Sequence, residues 1–150
     1  MSAVTKSNAE LTADAFAADA RGDQEALREM MDPEIEVYAE PGMINAGRYW
    51  GWEGFMQWRR QWDEAWAEIS YQPLELIEVG DSVVVAPTRV VGKGAESGVE
   101  IDRVFGYLYE LREGKGIRFH TYGSKARALE AAAELAARRA DRATFRQRAP

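Results

Sequence analysis

The chain has 150 residues, 46% of them hydrophobic and 29% charged, which suits one domain with a real core. Its formal net charge of −6 argues against a general nucleic-acid binder, and the lack of cysteine excludes disulfides, thiolate metal sites and cysteine nucleophiles. No stretch has the apolar length of a membrane span or the core of a signal peptide, so the expectation is a single cytoplasmic domain over 1–150, without membrane partner.

The first thirty residues carry two helical patterns. In NAELTADAFAADARGD, Leu11, Ala15 and Ala18, with neighbouring Phe16, form an apolar stripe at a spacing of three to four. Ser7 or Asn8 is placed to cap its start. Gly22 is placed to stop it, and Asp23 to cap a second helix, QEALREMM, whose Leu27, Met30 and Met31 face the core. Asp32-Pro33 ends that helix. EIEVYAEPG then alternates. Ile35, Val37 and Ala39 point one way, and Glu36, Tyr38 and Glu40 the other, as a short strand requires. Pro41-Gly42 ends the strand, and MINAGRYWG reads as a loop.

All five tryptophans lie between Trp50 and Trp66. Phe55, Trp58, Trp62, Trp66 and Ile69 are separated by three, four, four and three residues, which is one face of a helix beginning near Glu53. Gln57, Arg59, Arg60, Gln61, Asp63 and Glu64 take its wet side. Three tryptophans therefore serve as packing. Trp50 and Trp52 precede the helix in a Gly-flanked loop and are expected to border an opening.

Period two follows. ISYQPLELIEVG is a strand running into a turn at Gly80-Asp81. SVVVAPTRVVGKG is a second, nearly continuous in valine and so buried on both faces. Pro87 within it marks a bulge or an unneeded amide. VEIDRVFGYLYELREGKG is a third, long strand ending in a Gly-rich hairpin, and IRFHTYGS a fourth, giving an antiparallel meander. On the long strand Ile101, Arg103, Phe105, Tyr107 and Tyr109 share a face, opposite Val104, Gly106 and Leu108. KARALEAAAELAARRADRATFRQR is helical by propensity. It holds seven basic and three acidic residues, against 12 and 22 in the rest of the chain. Such a segment is a solvated face, or a helix docked on an acidic surface.

Helix, helix, strand, helix and then a meander is an unusual order. VEIDRVFGYLYELREGKGIRFHTYGSKARALEAAAE is similar to the C-terminal signature of SnoaL-like proteins of the nuclear transport factor 2-like superfamily. Its recurring parts are a charged turn with Gly114 and Gly116, a strand ending in Tyr122, and the helix from Ala128 to Ala132. ARGDQEALREMMDPEIEVYAEPG resembles the N-terminal signature, and RYWGWEGFMQWRRQW the third helix. The resemblance covers roughly residues 8–135, with 136–150 left as a helical or frayed tail. It implies an α+β cone: a strongly curved, mostly antiparallel sheet wrapped over three N-terminal helices, with a C-terminal helix. It also implies a pocket at the open end and a homodimer through the convex sheet face, where Val104, Gly106 and Leu108 are apolar enough to fit.

The chemistry the resemblance implies is proton transfer beside a carbonyl, with no metal or organic cofactor. Glu40 precedes Pro41, as the aspartate base of ketosteroid isomerases precedes a proline; the plain alternative is a strand-end carboxylate in water. The position resembling the isomerase oxyanion-hole tyrosine holds Phe16, which cannot donate, and the position resembling its aspartate holds Tyr107, which can. Asp102-Arg103 is reminiscent of the epoxide hydrolase relay, but neighbours on a strand face opposite sides. His120, the sole histidine, is an acid–base candidate if it faces the interior, and a surface or dimer-contact residue if Phe119 does instead. One histidine also argues against zinc. Arg103 either orients a carboxylate or enolate, or pairs with Glu40 or Asp102. Tyr38, Trp50, Trp52, Phe105 and Trp62 complete the expected lining.

Two functions fit these residues. One is a cofactor-free isomerase, cyclase or dehydratase acting on a small apolar carbonyl compound of polyketide or steroid type, with Glu40 as base and Tyr107 or Arg103 on the oxyanion. The other is a non-catalytic module whose cavity holds an apolar ligand, a reading favoured by the thinness of the polar constellation.

Overall fold

The computed structural model describes residues 5–148. Helix α1 (Asn8–Ala20) starts on a capping box. The Ser7 hydroxyl accepts from the Glu10 amide, and the Glu10 carboxylate accepts from the Ser7 amide. The helix ends at Arg21, and Gly22 takes the left-handed φ of 72° that turns the chain. Asp23 caps α2 (Gln24–Glu29) by accepting from Ala26. Strand β1 (Met31–Ala39) begins earlier than its alternation suggests and runs through Pro33. The segment read as a loop contributes a short strand, β2 (Gly47–Trp50), antiparallel to β1. Helix α3 (Gly51–Ala65) is one turn shorter than its apolar stripe. Trp66 and Ile69 belong to β3 (Trp66–Pro73), where they still pack on the core. The next expected strand is thus divided, with β4 (Ile77–Val79) separate. Strands β5 (Val83–Gly94), β6 (Glu100–Arg112) and β7 (Lys115–Tyr122) form the meander, and α4 (Lys125–Arg148) closes the chain.

Seven strands make one open sheet in the order β2-β1-β7-β6-β5-β3, with β4 also on β5. All pairs are antiparallel except β1 with β7. This is the α+β cone that the resemblance implies. The inner face presents Ile35, Val37, Ala39, Phe105, Tyr107 and Phe119 to α1, α2 and α3. The aromatic stripe of α3 plugs the middle of the cone. Trp58 meets Phe119 edge-on with centroids 5.0 Å apart, and Trp62 meets Phe105 at 5.8 Å.

The outer face is covered too. Ala128 and Ala132 of α4 are fully buried with Val83, Val85, Leu108 and Tyr122, and Leu129 and Leu135 pack beside them. Small residues are needed there. A Cβ on Gly106 would run into the Ser124 carbonyl and the Ala128 methyl. The helix also docks by charge: Arg127 on Glu40 at 2.7 Å, Lys125 on Glu75 at 3.3 Å and Arg139 on Glu110 at 3.4 Å. Docking on an acidic surface of its own chain is thus what its charge serves. Of the apolar residues on the outer side of β6, Gly106 and Leu108 lie under α4 and Val104 is exposed. No helix among the described residues is long and apolar enough to cross a membrane.

Candidate functional site

The plug divides the interior. On one side, α1 and α2 roof a narrow cavity of about 80 Å³. Its walls are almost wholly apolar, from Phe16 and Leu27 on the helices to Tyr109 and Phe119 on the sheet. A volume of this size is below the several hundred Å³ of a drug-sized ligand site, so it suits a single small ring unless the roof moves. Among the polar side chains on its wall are Asp19, Arg59, Tyr71 and Tyr107.

Asp19 is the last but one residue of α1, three positions after Phe16 and so on the same helix face. Arg59 follows Trp58 on α3 and reaches across to it. Its Nη1 lies 2.8 and 2.7 Å from the two carboxylate oxygens of Asp19. Its Nε bonds Asp63 one turn on, at 3.1 Å. Its guanidinium carbon sits 4.6 Å from the centre of the Tyr71 ring. The Tyr71 hydroxyl is buried with no hydrogen-bond partner among the described residues. Burial pushes the phenols of Tyr71 and Tyr107 well above their ordinary range, so both remain protonated donors near neutrality.

The ion pair is also a partition. Asp19, Leu27, Phe55 and Arg59 line both the inner cavity and a depression of about 300 Å³ on its outer side, which Trp52 borders. The polar pair therefore stands between the apolar interior and water.

The residues expected at the site are dispersed. Phe16 and Tyr107 line the inner cavity. Trp52 is half-buried, stacked on Phe55 at 5.6 Å, and Trp50 projects into solvent, 62% exposed, and lines neither the inner cavity nor the cleft beyond the plug. Glu40 follows the outward parity of Glu36 and Tyr38. It is buried, but against α4: it accepts from the Gly123 amide at 2.5 Å and from Arg127 at 2.7 Å. Glu40 therefore does not reach the inner cavity; it stands on the wall of the cleft beyond the plug, held by Arg127. His120 is outward as well, between Tyr38 at 5.2 Å and Tyr122 at 6.4 Å, because Phe119 takes the inner face. Burial, with Arg118 and Arg48 adding to it and Glu36 opposing, lowers its pKa to about 4. It is a neutral ring at pH 7, away from the cavity. Tyr38 lies on the same outer face, under the Arg48 guanidinium. Arg103, Phe105 and Trp62 meet, with Glu40, in a different cleft on the far side of the plug. Asp102 pairs with Arg89 on the surface at 2.7 Å, so the Asp102-Arg103 relay is absent.

Asp19, Arg59 and Tyr71 are the functional candidates that pattern reading missed. Arg59 and Asp63 look like ordinary members of a wet helix face. The one available signal was Asp19, a carboxylate in helical register with Thr12, Ala15 and Phe16 on the face that turns inward.

No family model matches the sequence, and no curated protein matches it. Solved structures do match. A nuclear transport factor 2-like protein of Burkholderia thailandensis superposes with a TM-score of 0.72 at 21% identity, covering 83% of this chain and 98% of that one. TerC, co-crystallised with polyporic acid, gives 0.67 at 21% identity, covering 82% and 95%. A Mesorhizobium loti protein described as a SnoaL-like polyketide cyclase gives 0.58 at 18% identity, covering 78% and 99%. The chain therefore has the fold of nuclear transport factor 2-like proteins, and its sequence signatures resemble those of SnoaL-like proteins.

Proposed function

We propose that the chain binds a small, flat, largely apolar carbonyl or enol compound in the cavity behind the Asp19–Arg59 pair and moves a proton on it without a cofactor. The observation that carries this reading is the presence of a carboxylate, a guanidinium and a protonated phenol on the wall of one apolar cavity. In the reaction, Asp19 takes a proton from the carbon beside the carbonyl and returns it to another carbon. Tyr107 and Arg59 hold the charge that develops on the oxygen. Asp63 keeps Arg59 in place when the substrate loosens it from Asp19. The base is Asp19 rather than Glu40, because Glu40 is engaged with α4. The polyketide cyclase description of the Mesorhizobium loti protein agrees with this class of reaction.

A second reading, a binding module without chemistry, is favoured by one contact. Arg59 donates to both oxygens of Asp19, so the carboxylate is already engaged in an ion pair. Solvent-deuterium exchange into the α-carbon of small cyclic enones, followed by NMR, separates the two. Asp19→Asn is expected to lower the exchange rate by ~10²–10⁴, and Tyr107→Phe by ~10²–10³, while tryptophan fluorescence still reports binding. Enone binding by the unaltered protein with no exchange at any pH would establish the module instead.

A further inference from the structure

On the far side of the aromatic plug lies a wide cleft of about 660 Å³. Trp62, Trp66, Ile101 and Phe105 form its floor. The loop after β1, with Ile44 59% exposed, forms one lip. Three charged groups sit on its wall: Glu40, Arg127 and Arg103. Glu40 is neutralised in place by Arg127 and the Gly123 amide. Arg103 has no acidic partner among the described residues. Its one hydrogen bond goes from Nη2 to the Gly123 carbonyl at 3.1 Å, and its guanidinium lies 5.0 Å from the centre of the Phe105 ring. Asp102, its neighbour in sequence, is occupied by Arg89 on the other face. The indole N–H groups of Trp62 and Trp66 are buried without acceptors.

We propose that this cleft is a second ligand site, for a small aromatic carboxylate. A planar guanidinium with most of its donor fork unspent matches a carboxylate in two parallel hydrogen bonds. The indole and phenyl floor beneath it matches a flat ring. The volume holds such a molecule whole, which the inner cavity does not. The carboxylate lies against Arg103 at the rim and the ring against Trp62, Trp66 and Phe105. Glu40 does not repel it, because Arg127 answers its charge.

The site is independent of the proton-transfer proposal, since the plug separates it from Asp19 and Tyr107. The test titrates naphthoate and its neutral analogue naphthylmethanol into the full chain, following the indole N–H resonances of Trp62 and Trp66. Naphthoate is expected to shift both resonances and to bind more tightly than naphthylmethanol. Arg103→Met, at an exposed position, weakens naphthoate by roughly tenfold or more without changing the neutral analogue. Arg103→Lys restores part of the loss. Asp19→Asn and Tyr107→Phe leave naphthoate binding unaltered. The proposal is overturned if naphthoate does not bind at millimolar concentration, or if Arg103→Met leaves its affinity intact. Equal binding of the neutral analogue, or loss of naphthoate binding in Asp19→Asn, overturns it as well.

Discussion

His120 sits on the outer face with Tyr38, Tyr122, Glu36, Arg48 and Arg118 around it, and its Nε2 is buried without a hydrogen bond. Its pKa is lowered from 6.5 to about 4, chiefly because burial penalises the charged ring. Between those values the unfolded chain binds a proton that the folded chain refuses. Stability is therefore complete above pH 6.5 and is lost as pH falls toward 4, by about 3 kcal/mol from this group. Urea midpoints measured from pH 7 to pH 4 are expected to fall steeply, and His120→Gln is expected to flatten that slope. An unchanged slope in the variant would show that the histidine is not the titrating group. The surroundings also separate the two carboxylates: Glu40 and Asp19 are each held by an arginine, Asp19 on the wall of the inner cavity and Glu40 on the wall of the wide cleft beyond the plug.

At the scale of elements, α4 is the piece whose removal has the largest expected consequence. It buries Leu108 and Tyr122, and it supplies Arg139 as one of the two arginines on Glu110, which is 1% exposed. Ala128→Glu with Ala132→Glu places two carboxylates against that apolar face. The helix is expected to detach, raising binding of a hydrophobic dye and lowering the melting temperature by several degrees. Gly106→Ala attacks the same seam from the sheet side, and overpacking there costs about 1–3 kcal/mol by chemical denaturation. A Gly106→Ala protein as stable as the parent would show that α4 is not tightly seated. Helix α3 illustrates a different point. Its apolar stripe was legible over four turns, yet the helix stops at Ala65 and the last two stripe residues are delivered by β3. Trp66 and Ile69 reach the same core from a strand because apolar burial constrains where a side chain ends up, and not which backbone brings it.

For the whole molecule, α4 alters how copies can meet. The convex face through which related sheets are expected to pair is partly occupied by the chain's own helix. Sedimentation of the full chain at micromolar concentration is expected to show a monomer, and the Ala128→Glu, Ala132→Glu protein a tendency to self-associate through the uncovered sheet. A stable dimer in the unaltered protein would require pairing through what α4 leaves open, around Tyr38 and the exposed Val104 of the inner strand β6.

The sequence by itself determined the helices and the longer strands, the packing role of Trp58 and Trp62, and the sets of strand residues that share a face, while the cone came through the resemblance of its signatures. Caps, turns and periodicity are local physics, so they can be read without knowing what lies across the sheet. Which set faces the cavity was decided only by the tertiary structure. Alternation fixes inside from outside when one face of a sheet is wet, but here three helices cover one face and α4 covers part of the other, so buried apolar residues occur on both. The outward turn of Glu40 and His120 followed from that choice. So did the meeting of Asp19 with Arg59, residues forty positions apart that neither helix pattern alone brings together.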